Sequence, residues 1–211
     1  MLRKVLRVLF WTVIACAVIA GLAYIFCEPW TIPADDAQLS ASIEPTLSSG
    51  DVLLVARTTG ASDAALVRCA DPDAPGRFVI GRVVAHGGQH VEIVSGALTV
   101  DGKGFPASVA CEPPTVHLKN PVSQEDEELS CSMEEFAGYH PILRATKATT
   151  QRDSKTDVES GKVYLLSDNR VMHQDSRDYL AVHASSCQRV VLRLWGAGGW
   201  LDTKKRLTVL W

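Results

Sequence analysis

Three short stretches carry side chains whose types and spacing could do chemistry. The first is Ser40-Ala41-Ser42-Ile43-Glu44-Pro45-Thr46-Leu47, followed by Gly50-Asp51 and an apolar run. A serine hydroxyl on a loop stiffened by Pro45 and feeding a buried strand can act as a nucleophile held against a rigid support. The same residues also suit a plain serine turn ahead of a strand. The second stretch is Gly81-Arg82-Val83-Val84, running on through His86-Gly87-Gly88-Gln89-His90. The third joins Ser167-Asp168-Asn169-Arg170 to Asp175-Ser176-Arg177, two triplets with Asp and Arg just after an apolar strand. Carboxylate–guanidinium pairs of this kind lock a loop and shape a site without taking part in its chemistry. His86 and His90 are not read as metal ligands, because Gly87-Gly88 between them disfavours the helix that an i, i+4 pair would need. With no phosphate-binding loop, dinucleotide fingerprint or EF-hand pattern either, no cofactor and no metal are expected.

The elements that must position these residues are short and apolar. Asp51–Ala56, Phe78–Val84, His90–Val94, Ala97–Val100, Val163–Leu166 and Arg189–Trp195 are rich in Val, Leu and aromatics and bounded by turn residues. Several short strands without long helical periods between them predict a mainly β, barrel-like domain. The stretch at about 106–160 differs: it holds the acidic run at 125–128 and a polar sequence after it, and reads as an insertion with an exposed or mobile middle. Residues 197–211 form a C-terminal tail.

Upstream, Leu9–Phe26 carries no charge and as a helix spans roughly 27 Å, enough to cross a bilayer with snorkelling flanks. Residues 1–29 are therefore read as a transmembrane anchor, with a cleaved signal peptide as the competing reading. Arg3, Lys4 and Arg7 precede the run while Glu28, Asp35 and Asp36 follow it. The positive-inside rule then sends residues 30–211 across the membrane. The net charge of −3 has no strongly basic excess, which argues against a nucleic-acid partner. Of six cysteines, Cys16 and Cys27 lie in or beside the anchor; Cys69, Cys111, Cys131 and Cys187 could pair in three ways, and spacing does not choose among them.

An anchor, then SxxPTLxxGDxxxV from Ser42, then RVVxxxGxxV from Arg82, then DNRxxxxDSRxY from Asp168, taken in that order, resembles the type I signal peptidases and their mitochondrial relatives, the inner membrane proteases. The resemblance covers most of residues 30–104 and 159–196 and implies a signal-peptidase-like β domain, residues 30–196, on the outer face of the membrane. It also implies a Ser–Lys dyad that cleaves presequences after small residues at −3 and −1. Carried over, Ser42 matches the nucleophile, and Ser40 with the Ser42 backbone matches the oxyanion hole. Asp168, Asn169, Arg170, Asp175, Ser176 and Arg177 match the residues that shape the site.

The family's general base does not carry over. Its position is Gly81, which has no side chain, and Arg82 stays protonated. His173 stands where the family has the serine that bonds the lysine. Two expectations follow. Either the protein is a catalytically degenerate subunit of a mitochondrial inner-membrane complex, docking through a tail that carries Trp195, Trp200 and Trp211, with its domain in the intermembrane space. Or it is an active presequence peptidase in which His173, oriented by Asp168 or Asp175, serves Ser42 as a relocated base.

Overall fold

The structure is a computed structural model that describes residues 2–146 and 153–210. Helix α1 (Leu2–Phe26) is long and apolar enough to cross a membrane, and none of its apolar window is buried against the rest of the chain. Past Arg7 it carries no charge, and Phe10, Trp11, Val13 and Ile19 are all exposed, a pattern that suits a lipid surround.

Beyond the anchor the chain is mainly β. Strand β1 (Cys27–Thr31) leaves the helix directly and is followed by a short helix α2 (Ala37–Ser42). Strands β2 (Val52–Thr59), β3 (Leu66–Ala70), β4 (Phe78–His86), β5 (His90–Val94), β6 (Ala97–Val100) and β7 (Lys103–Gly104) come next. Then follow β8 (Val109–Lys119), β9 (Asp126–Glu135), β10 (Tyr139–Ala145), β11 (Ser154–Asp157) and β12 (Lys162–Leu166). Helix α3 (Ser176–Tyr179) and strands β13 (Val182–His183), β14 (Cys187–Trp195) and β15 (Thr208–Val209) close the chain. The central sheet runs β1-β2-β14-β3-β4-β12-β13, with β15 on β14; β10-β9-β8 and β11-β5-β6-β7 form two smaller sheets.

The expected strands all form, and β4 shows why the domain closes around them. Both of its faces are buried: Val79 and Val83 join Val67, Val163 and Leu165 in one core, while Ile80 joins Leu39, Ile43, Leu47 and Leu53 in another. Residues alternate across a strand, so Gly81 shares the Val79 face and Arg82 shares the Ile80 face.

Three features go beyond the sequence reading. The described residues of 106–160 are largely strand. They supply the β8–β10 sheet, whose Leu129, Cys131 and Leu143 pack on Ala41 and Met172; part of the polar stretch, 147–152, lies outside the described residues. That segment lacked clear apolar alternation because β8 is exposed along much of its length and carries Pro113 and Pro114. The serine segment is not a loop: it is α2, capped by Asp36, which accepts from the Leu39 amide at 3.0 Å. The tail folds back, with β15 paired to β14 and Leu210 buried in the core; Trp211 lies outside the described residues. Among the cysteines, Cys69 pairs with Cys187 across β3 and β14, and Cys111 with Cys131 across β8 and β9.

Candidate active site

Ser42 ends α2 and is fully buried, and its hydroxyl donates to the Leu39 carbonyl at 2.8 Å. A serine bonded back to its own helix has its proton engaged by a carbonyl, which cannot take it up as a base does. Ser40 lies one turn-half away, and its Oγ is buried with no hydrogen-bond partner among the described residues. Asn169 fixes the segment from the other side: its backbone N–H donates to the Ser42 carbonyl at 3.0 Å, and its side-chain amide donates to the Ala41 carbonyl at 2.9 Å. The Asn169 side-chain oxygen Oδ1 in turn accepts from the Val171 and Met172 backbone amides.

The two Asp/Arg triplets are pinned in different ways. Asp168 pairs with Arg82, receiving Nε at 2.7 Å and Nη2 at 3.2 Å, and also accepts from the Thr46 hydroxyl. This ties the serine segment, β4 and the loop after β12 through one buried carboxylate. Burial alone would raise the Asp168 pKa, but the Arg82 guanidinium and its hydrogen bonds hold the carboxyl below its ordinary value. Arg170 reaches instead to Glu134 on β9, beside His140 on β10. Glu134 is shifted the same way: burial opposes ionisation, and Arg170 with His140 more than offsets it.

Asp175 and Arg177 pair within their own triplet, with bonds of 2.9 and 2.8 Å, and Asp175 also caps α3 and accepts from the Ser167 amide at 2.9 Å. Arg177 continues to the Arg170 carbonyl at 3.1 Å, which joins the triplets, while the Ser176 hydroxyl accepts from the Leu165 amide at 2.9 Å.

Gly81 sits at the centre of β4. A Cβ there would lie 3.1 Å from the Leu165 Cβ and 3.4 Å from the Leu166 carbonyl, so the position faces packed residues of β12. The His173 imidazole is turned to α3: Nδ1 lies 2.8 Å from an Asp178 carboxylate oxygen. The carboxylate against the ring is thus Asp178, in place of the expected Asp168 or Asp175, both of which are spent on arginines. His173 meets the serine segment through its backbone carbonyl, which accepts from the Gln38 side-chain Nε2 at 2.8 Å.

His173, Asp175 and Asp178 bring one ligand atom each within 4.8 Å of one another. Asp175 is saturated by Arg177 and backbone amides, and Asp178 caps α3, so neither carboxylate is available to a cation without dismantling the loop. His86 bonds Asp63, and the two ring nitrogens of His90 face Asp157 and Glu92, so those histidines do not converge.

The sequence reading missed Glu134, His140 and Asp178, whose places depend on the β8–β10 sheet and α3. It also missed Lys205, whose ammonium reaches the Ser48 hydroxyl at 3.4 Å beside Asp51 and Arg193. Lys205 passes over Gly196, where a Cβ would lie 2.8 Å from its Cδ.

A serine ahead of a Pro-Thr-Leu turn, a β-rich domain emerging from one apolar helix, and an arginine-locked loop behind the serine define a peptidase-like scaffold at a membrane. Residues 5–195 match the signal peptidase family, peptidase S26, and the chain belongs to that family. No individual curated protein matches the chain.

Proposed function

We propose that this chain is a catalytically degenerate signal-peptidase-like protein that serves as a structural or accessory subunit of an inner-membrane complex. The observation that carries this reading is the state of the serine. Its hydroxyl is buried and bonded to the Leu39 carbonyl, and no amine or imidazole lies within hydrogen-bond reach among the described residues. General-base assistance typically supplies 10²–10⁴-fold in rate, and a serine hydroxyl is a weak nucleophile without it. Gly81 stands at the family's base position and faces Leu165, so side-chain chemistry from that point is absent.

The anchor holds the domain on the far side of the membrane from the basic N-terminus. Two disulfides suit an oxidising compartment. The proposed setting is the mitochondrial inner membrane with the domain in the intermembrane space; a bacterial plasma membrane meets the same redox condition, and localising a tagged full-length chain separates the two. Trp200 and Leu201, both exposed in the folded-back tail, offer apolar area to a neighbouring subunit.

The active alternative needs the Ser42 hydroxyl to leave the Leu39 carbonyl and come within reach of His173 Nε2, while Asp178 holds Nδ1. Purified full-length protein is incubated with presequence peptides carrying small residues at −3 and −1. The expected result is no cleavage above the rate of the Ser42→Ala variant, together with co-purification in a larger assembly. Cleavage abolished by both Ser42→Ala and His173→Gln would establish the alternative.

A further inference from the structure

Two exposed patches of opposite charge approach the same turn, and neither is neutralised within the chain. The first is the outer end of the β8–β9 hairpin, where Glu125, Asp126, Glu127 and Glu128 follow one another. Lys119 stands opposite Asp126 in the ladder without closing an ion pair, and His117 stands opposite Glu128. Four carboxylates against one ammonium leave an acidic surplus. Glu127 accepts from the Asn120 side-chain amide at 2.6 Å, while Glu125, Asp126 and Glu128 make no ion pair among the described residues. Val122, at the tip, is 84% exposed.

The second patch is the folded-back tail, whose one acid at 196–210 is Asp202. Of its three cations Lys205 turns inward to the Ser48 hydroxyl, and Lys204 and Arg206 stay exposed. Arg206 rests on the Trp200 ring, 5.6 Å from its centre, a contact that leaves the guanidinium without a counter-ion. Lys204 likewise has no ion pair among the described residues, and Leu201 close by is 88% exposed.

Their placement decides what can join them. Leu118 and Lys119 line a cavity of about 370 Å³ together with Ser48 and Ser49. The tail reaches the same turn through Lys205, and a Cβ added at Gly50 would lie 3.1 Å from the Ala197 Cβ. From Lys119 the hairpin crosses α2, so that Asn120 and Val122 lie beside Gln38, Met172 and His173. The acidic tip and the basic tail therefore border one face of the domain from different flanks of α2, with no ion pair between them. A face with one acidic and one basic lobe is self-complementary under a two-fold rotation, since each lobe meets its opposite on a second copy. A two-fold axis along the membrane normal also keeps both α1 helices pointing the same way, as two anchors in one bilayer require.

We infer that this face is a homodimer interface. Glu125, Asp126 and Glu128 of each copy meet Lys204 and Arg206 of the other, with Val122 and Leu201 packed between the charges. The inference names a neighbour for the apolar surface of the tail, and it holds whether Ser42 is inert or active. Charge pairs at such a rim steer association and are screened by salt.

Full-length protein in detergent is weighed by sedimentation. A dimer is expected at micromolar protein in about 0.1 M salt, loosening by about 0.5 M. Glu125→Lys with Glu128→Lys, and separately Lys204→Glu with Arg206→Glu, should each raise the dissociation constant at least about tenfold. All four side chains are exposed, and the melting curves should match the parent. Mixed in equal amounts, the two variants should dimerise again, because the basic hairpin of one meets the acidic tail of the other at both contacts. A parent protein that stays monomeric would overturn the inference, as would a dimer indifferent to both variants. A loss that mixing does not restore would overturn it too, by assigning the charges to contacts within one chain or to an unrelated partner. Peptide cleavage is measured on the same samples, so that failure to dimerise and activity at Ser42 are told apart.

Discussion

The loop at 167–177 and the helix at 37–42 face each other across one hydrogen-bonded seam, yet their polar groups are handled in opposite ways. In the loop, Asp168, Asp175 and Arg177 are buried and each is engaged by two or more partners. In the helix, one serine hydroxyl turns back on its own carbonyl and the other has no partner. A buried charge must be compensated for the domain to fold, whereas one buried hydroxyl without a partner costs about 1–3 kcal/mol, which a domain can carry. Folding therefore holds the frame of a peptidase site in place whether or not that site has its base.

The comparison is broken most severely by unpairing the frame. Asp168→Asn leaves Arg82 buried without its counter-ion and should destabilise the domain by about 3–5 kcal/mol, read as a lowered urea midpoint. Asp175→Asn should cost a similar amount, since it also weakens the α3 cap. A smaller effect is expected from Gly81→Lys. Its Cβ must displace Leu165, for a loss of about 1–3 kcal/mol, and the new amine should produce no peptide cleavage because position 81 faces β12.

Acid sharpens the same contrast. Asp168, Asp175 and Glu134 all have carboxyls held below their ordinary values: burial works against the charge, and the paired arginines prevail. Groups with depressed folded-state values add stability that is fully present above the unfolded value, about pH 4, and is lost as pH falls through the folded one. Stability should be level near neutrality and fall steeply below about pH 4, and the fall should be shallower in Asp168→Asn. The helix contributes the smallest effects. Ser42→Ala should cost about 0.5–1.5 kcal/mol for one lost hydrogen bond, while Ser40→Ala should be neutral or slightly stabilising, because its hydroxyl has no partner to lose.

How much of this was legible in the sequence depended on local signal. Strands such as Phe78–His86 and His90–Val94 announce themselves because Val and Ile on β4 and β5 must fill a core. The Asp168 and Asp175 triplets are visible because like spacing of Asp and Arg suggests pairing. The partners were not visible: Arg170 crosses to Glu134 and Asp168 to Arg82, contacts that only tertiary packing creates. Helix α2 is six residues, too short for a 3.6-residue period to show, and β8–β9 carries a polar face on an exposed edge. The turn of His173 toward Asp178 depends on the capping of α3, a geometry set by the folded loop.

The state of Ser42 is tested most directly by acylation. Full-length protein is exposed to a serine-reactive penem and its intact mass measured, with Ser42→Ala as the reference. A buried, self-bonded hydroxyl without a base should leave the mass unchanged. An adduct that maps to Ser42 and disappears in Ser42→Ala would contradict the degenerate reading.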